Sequence, residues 1–307
     1  MKKFQDSLQE SITKIFQLSS DWSDWLWALS NIELILQIVL VFALLLLGRY
    51  IYDRVTPFSL AEVLTTRDNK ALSSSFACYL AGLIIVILGV YRSPAAEPST
   101  EFPYWRMLLF NLGDTFFWGA IGICLLLLAQ ILNNRLILSR FDNYAQIIEG
   151  QNLAVGISEG ASYIASALLI HAVMQGISES FLLDFLLTLF YFALGQAILI
   201  AYSRIFITAR CKVWDFHQEI EKKNPAAAIS FAFSLLSFAI LLSAYIANFY
   251  SIYGLLLTAA LGIIFILLLH VLIDKFFFPK VALNLEISSD QNWGAALIEG
   301  FLLLGFC

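Results

Sequence analysis

Two glutamates in this chain stand where a charge is expensive. Glu159 and Glu299 each lie inside a long apolar run, seven residues past an asparagine, Asn152 and Asn292 respectively. If those runs are helices in lipid, seven residues is a depth of roughly 10 Å, against a half-thickness of about 15 Å. A glutamate side chain cannot easily reach the interface from there, so both acids are candidates for function. Asp114 enters another apolar run from the opposite end, at a similar depth. One outer and two inner carboxyls, bridged by water across about 10 Å, would form a relay for protons or cations. Alternatively, Glu159 and Glu299 simply hydrogen-bond neighbouring helices and have a structural role only.

Other chemistry-bearing residues form no recognisable site. His171 lies late in the same run as Glu159, and His217 sits in a polar linker. His270 precedes Asp274 by four residues, a spacing that suits a local pair on one helix. Cys78, Cys124, Cys211 and Cys307 stand far apart with no Cys-x-x-Cys pair. That spacing suggests neither a disulfide framework nor a metal site. The chain has no P-loop, no His-Glu-x-x-His, no Gly-x-Ser-x-Gly and no dinucleotide fingerprint. No catalytic residue, metal ligand set or cofactor is therefore expected, and the chain is not read as an enzyme.

The elements that must position the acids follow from composition and repetition. The chain is 60% hydrophobic and 13% charged, where soluble domains carry about 25% charged residues. So apolar a surface implies lipid as the solvent. A pattern of two cations, a short amphipathic stretch, an Asn and small residues then occurs four times, always between apolar runs. The cation pairs are Arg49/Arg54, Arg135/Arg140, Arg204/Arg210 and Lys275/Lys280, placed to snorkel to inner headgroups. The asparagines are Asn69, Asn152, Asn224 and Asn292, each placed to cap the helix that follows. In the third copy Pro225 comes next, at the first helical position that tolerates proline. Small residues follow four and eight positions on, as Ser73/Ala77, Gly156/Gly160, Ala228/Ala232 and Ala296/Gly300. Such stripes let helix backbones pack closely in lipid.

Copies one and three share Ser-Phe-Ala at 75–77 and 230–232, where copies two and four read Glu159-Gly160 and Glu299-Gly300. The alternation implies two similar four-helix halves, about 32–178 and 179–307. The expected fold is an all-α membrane protein of eight transmembrane helices in two pseudo-symmetric halves, built from four helical-hairpin repeats. The spans are expected near 34–52, 71–91, 107–132, 153–175, 182–203, 226–247, 254–273 and 293–307, the last one short. Residues 1–31 are read as a separate amphipathic helix in the interface, with Phe4, Leu8, Ile12 and Ile15 at helical spacing before a tryptophan cluster. The motif linkers hold thirteen Lys and Arg, and the loops between repeats only Arg92 and Arg106. The positive-inside rule therefore places the linkers in the cytoplasm and both termini outside.

The repeated motif resembles a bacterial inner-membrane family, the YjfL-like proteins of domain of unknown function 350. The likeness is carried by Asn-Leu-Ala-Val-Gly-Ile at 152–157 and Asn-Pro-Ala-Ala-Ala-Ile at 224–229. It implies a four-span unit present twice, and a place in the bacterial plasma membrane. It implies no activity, cofactor or catalytic residue. The expected partners are the lipid bilayer, a second copy of the chain in a homo-oligomer, and a peripheral envelope-stress protein on the cytoplasmic face, with no nucleic acid. The function expected first is membrane-integral envelope maintenance or stress response through protein or lipid contacts. The second is a proton- or cation-conducting channel or transporter built on Glu159 and Glu299.

Overall fold

The computed structural model describes residues 32–92, 104–175, 180–210, 214–249 and 251–307. The expected interfacial helix at 1–31 lies outside the described residues. Every regular element among those described is a helix. Each repeat contributes a long outer helix, a six-residue surface helix and a returning inner helix. The first has α1 (Ile32–Val55), α2 (Leu60–Thr65) and α3 (Lys70–Arg92). The second has α4 (Tyr104–Leu136), α5 (Asn143–Ile148) and α6 (Leu153–Met174). The third has α7 (Phe181–Arg210), α8 (Phe216–Glu221) and α9 (Pro225–Asn248). The fourth has α10 (Ile252–Phe277), α11 (Leu283–Ser288) and α12 (Trp293–Gly305).

Seven of these helices are long and apolar enough to cross a membrane. The chain is therefore a multi-pass α-helical membrane protein. Helix is the form a lipid solvent demands, because it satisfies the backbone within one segment. The remaining apolar helix, α12, has 13 residues, about 20 Å at 1.5 Å per residue. α4 and α7 run longer than the expected spans, with 33 and 30 residues. At 1.5 Å per residue both exceed a hydrocarbon core of about 30 Å, and their last turns include Arg135 and Arg210.

The inner helices stand side by side in the order α3, α6, α9, α12. The outer helices lean against this row: α4 on α3 and α6, α7 on α6 and α9, and α10 on α9 and α12. Residue size explains the division. α6 is buried along most of its length through Ala, Gly and Ser, whereas α1 buries only Leu44, Gly48 and Tyr52. The row is tightest between α3 and α6. A Cβ on Gly156 would stand 2.3 Å from the Ala71 carbonyl oxygen, and one on Gly160 would stand 2.8 Å from Cys78 Sγ. Only glycine fits such an approach, and close backbone packing is what holds helices together in lipid.

The surface helices share one terminal device. The residue before each motif Asn is left-handed: Asp68 (φ 46°), Gln151 (φ 47°), Lys223 (φ 65°) and Gln291 (φ 50°). This turn ends the surface helix and aims the Asn at the start of the inner one.

Candidate functional site

At each linker the Asn side chain caps the helix that follows. Its Oδ1 accepts from backbone N–H groups of the new helix: Leu72 for Asn69, Ala154 for Asn152, Ala226 and Ala227 for Asn224, and Ala295 for Asn292. In the first three linkers its Nδ2 also reaches the surface helix of the next repeat. Asn69 donates to Ile147 O at 2.7 Å, Asn152 to Ile220 O at 2.8 Å and Asn224 to Ile287 O at 2.8 Å. A Ser or Asp would cap as well but has no N–H to donate, which is why a carboxamide suits this position. The resulting ladder holds the starts of all four inner helices at one end of the row.

The motif cations lie outside the polar interior. Arg49, Arg54, Arg135, Arg140, Arg204, Lys275 and Lys280 are exposed, and Arg210 closes α7. Arg140 Nη1 bonds Asp215 Oδ2 at 2.6 Å, tying the second linker to the third. Asp53 and Asp274 each accept from the first N–H of their surface helix, Leu60 at 2.6 Å and Leu283 at 2.8 Å. The two play one role at the start of their surface helices.

Glu159 on α6 is buried against the first repeat. Its Oε2 accepts from Ser75 Oγ on α3. Its Oε1 accepts from Gln130 Nε2 at 3.0 Å and Asn134 Nδ2 at 2.9 Å, both on α4. Glu299 on α12 occupies the matching place in the second half. Its Oε2 accepts from Ser230 Oγ on α9 at 2.6 Å. Ser75 and Ser230 are each six residues past the motif Asn, and each meets a Glu seven past the Asn of the next repeat. The alternation of Ser-Phe-Ala with Glu-Gly is therefore a matched pair across the repeat interface.

The two halves differ at two partners. Asn134, which donates to Glu159, is matched one residue before Lys275 by Asp274, which serves the Leu283 N–H instead, and Gln130 is matched by His270. Gln130 and His270 each stand five residues before the first motif cation, Arg135 or Lys275. Where Gln130 donates to Glu159, His270 Nδ1 lies 2.7 Å from Glu299 Oε1. His270 Nε2 lies 3.0 Å from Ser234 Oγ, and that oxygen meets the Tyr202 hydroxyl. His270, Glu299, Ser234 and Tyr202 are all fully buried. Spacing on one helix suggested Asp274 as the partner of His270. Instead Asp274 serves the Leu283 N–H, and the histidine pairs with an acid 29 residues on.

The chemistry available differs accordingly. Around Glu159 the hydroxyl and two amides are donors to a carboxylate, and an amide does not carry a proton onward. Around Glu299 an imidazole links the carboxyl to a serine and a tyrosine, and imidazole takes a proton on one nitrogen while releasing one from the other.

Asp114 is half-buried on α4, within electrostatic range of Trp118 and Asp184. No hydrogen bond among the described residues joins it to either glutamate, or joins the two glutamate clusters. His171 Nδ1 lies 2.8 Å from Ile85 O, beside Gln175 rather than Glu159. No cluster of three potential metal ligands occurs among the described residues.

A family model described as Domain of Unknown Function (DUF350) matches the chain twice, at residues 24–174 and 180–307. The chain belongs to the DUF350 family. Each copy holds one Ser–Glu pair, so the two DUF350 units are two versions of one site, one built with Gln130 and one with His270. No curated protein and no solved structure matches the chain.

Proposed function

We propose that this DUF350 protein conducts or exchanges protons in the membrane at the Glu299–His270 pair. The observation that carries this reading is the imidazole 2.7 Å from a carboxyl buried in the helix row, continued to Ser234 and Tyr202. In this scheme a proton on Glu299 passes to His270 Nδ1 as the Nε2 proton passes to Ser234 Oγ, while Ser234 gives its own proton to the Tyr202 oxygen and Tyr202 releases one in turn. A flip of the imidazole and rotation of the hydroxyls return the chain to its starting arrangement, and Glu299 then takes up a new proton. Glu159, ringed by amide and hydroxyl donors, is the fixed polar anchor of the first half. Ionisable groups inside a bundle are costly, and mark ion and proton pathways in membrane proteins. The accompanying topology has residues 32–178 and 179–307 as two four-span domains, with α12 as a short eighth span. The motif linkers face the cytoplasm of a bacterial inner membrane and both termini face outside.

The test is proton flux in proteoliposomes with a pH-sensitive dye inside. The expected result is flux in the unsubstituted protein that is lost in Glu299→Gln and His270→Gln. Absence of flux in the unsubstituted protein, or undiminished flux in Glu299→Gln, would sink the reading.

A second reading is favoured by the linkers, which join into one surface through Arg140–Asp215 and through Lys223 Nζ on Gly150 O at 2.6 Å. Such a surface suits a peripheral partner in envelope maintenance or stress response. Cross-linking in cells from exposed Glu62 and Arg67, abolished by charge reversal there while flux persists, would favour it over conduction.

A further inference from the structure

The row of inner helices repeats one interface three times and leaves both halves of it open at the ends. At the first and third internal joints, position Asn+8 of one inner helix meets position Asn+9 of the helix before it. A Cβ on Gly160 would touch Cys78, and one on Gly300 would touch Phe233. At the same joints the earlier Asn donates to the carbonyl just past the one that its neighbour's own backbone N–H uses. Asn152 N takes Gln146 O while Asn69 Nδ2 takes Ile147 O, and Asn292 N takes Glu286 O while Asn224 Nδ2 takes Ile287 O.

The fourth Asn reaches no other repeat among the described residues. Asn292 Nδ2 donates to Glu286 Oε2 of its own linker at 2.8 Å, in an exposed position. Among the described residues no earlier repeat stands beside the first. Asn69 N takes Val63 O, so Leu64 O is the carbonyl equivalent to Ile147 O. The side faces match this vacancy. Ser73 and Ala77, the Asn+4 and Asn+8 residues of α3, are exposed, although their counterparts Gly156 and Gly160 are buried in a joint. On α12 the Asn+9 residue Phe301 is 63% exposed. α3 and α12 do not pack on each other within the chain.

We infer that a second copy of this chain docks head to tail, with its α3 on α12 of the first, so that Asn292 donates to the partner chain's equivalent of Leu64 O. The occupant is a second copy because the two open faces are the two halves of a joint this sequence already builds three times, in the same register. Lipid would contact an apolar face equally well. It would not account for small residues kept at Asn+4 and Asn+8 of the first repeat. The contact is heterologous, so it extends into a ring or a row according to the rotation between copies. It does not depend on proton exchange at Glu299.

Disulfide trapping in native membranes tests the inference, using the full chain with its four native cysteines replaced by serine. Ala77→Cys and Phe301→Cys take the Asn+8 and Asn+9 places, and both lie on exposed faces. The double variant should give dimers and a ladder of higher bands. Two differently tagged single variants expressed together should give one mixed dimer, and either single variant alone should give none. Asn292→Asp keeps the helix cap but loses the amide donor, and should reduce trapping several-fold. The inference is overturned if either single variant traps itself in a symmetric dimer or if the mixed pair stays monomeric. Capture of Phe301→Cys by a cysteine placed in residues 1–31 of its own chain would also overturn it. Trapping that is unchanged in Asn292→Asp would remove the ladder from the contact. Size-exclusion elution of each variant at the position of the unsubstituted chain shows that the fold is kept.

Discussion

Ser230 donates its hydroxyl to Oε2 of Glu299 across 2.6 Å, and so joins the third repeat to the fourth inside the helix row. Ser75 stands in the same relation to Glu159 between the first repeat and the second. In both cases a small donor on one inner helix meets an acid on the next, with an outer helix closing the site through Gln130 or His270. The pair is thus part of the packing that builds each half, whatever else it does.

Removing the serine hydroxyl should weaken each half by a similar, modest amount. Interhelical hydrogen bonds in lipid contribute about 1 kcal/mol. Ser75→Ala and Ser230→Ala should each lower stability by about that much, read from thermal unfolding in detergent. Their effects should add, because the two sites share no partner among the described residues.

His270→Gln should fold well, since Gln130 fills the same place in the first half. Its thermal midpoint should stay close to that of the unsubstituted protein. The carboxyl infrared signal of Glu299 should lose its response to a pH step, and the converse Gln130→His should add a response at Glu159. A His270→Gln protein that fails to fold, while Gln130→His changes nothing, would mean the two places are not equivalent.

Gly156 should not accept a methyl group. A Cβ there would lie 2.3 Å from the backbone oxygen of Ala71, which cannot swing away as a side chain end can. Gly156→Ala should cost about 1–3 kcal/mol through forced separation of α3 and α6. Gly113→Ala is the control, because nothing lies within 4 Å of the Cβ it would gain. It should be neutral or slightly stabilising.

Acid should loosen the third linker through His217. Burial, and then the nearby Arg140 guanidinium, hold its imidazole below the ordinary 6.5, with Asp215 pulling partly the other way. The folded protein therefore binds fewer protons here than the unfolded one. Stability from this site is complete above about pH 6.5 and is lost as pH falls through the folded value. Asp215 itself is pushed up by burial, but Arg140 and the N–H groups of Gln218 and His217 outweigh this and leave it below 3.8. The Arg140–Asp215 pair thus stays charged through the same window. The thermal midpoint should fall between about pH 7 and pH 5, and less so in His217→Gln.

Gln196→Leu should stabilise the chain. Both polar atoms of the Gln196 side chain are buried without a partner among the described residues. They sit at an otherwise apolar cleft of about 350 Å³ between α4 and α7. Removing them should gain about 1–2 kcal/mol. A loss of stability would instead mean that the amide is satisfied in the membrane by something the cleft holds.

Legibility in the sequence varied with how local each feature is. An Asn before an apolar run, with Pro225 after one of them, reads as a helix cap because capping involves only the next few residues. The second bond of the same side chain, to Ile147, Ile220 or Ile287, joins residues more than sixty apart and leaves no local mark. The left-handed turn before each Asn carried no glycine to announce it, being filled by Asp68, Gln151, Lys223 and Gln291. His270 illustrates the error that follows from local spacing. Four-residue spacing sees only the residues sharing its own helix face, and the acid it meets is on α12.

A chain that is 60% hydrophobic must use lipid as solvent, and lipid admits helices because they satisfy their own backbone. Fourfold repetition then dictated how often the helix pair recurs, and where each inner helix starts. Those properties depend on composition and on periods along the chain, so they could be read in one dimension. The order of the inner row, and the meeting of Ser230 with Glu299 and of His270 with both Glu299 and Ser234, belonged to the folded molecule alone. They depend on how each helix is rotated about its axis and on which neighbour lies beside it. In lipid that choice is made by the fit of small residues such as Gly156 and Gly300 against the adjacent backbone or ring.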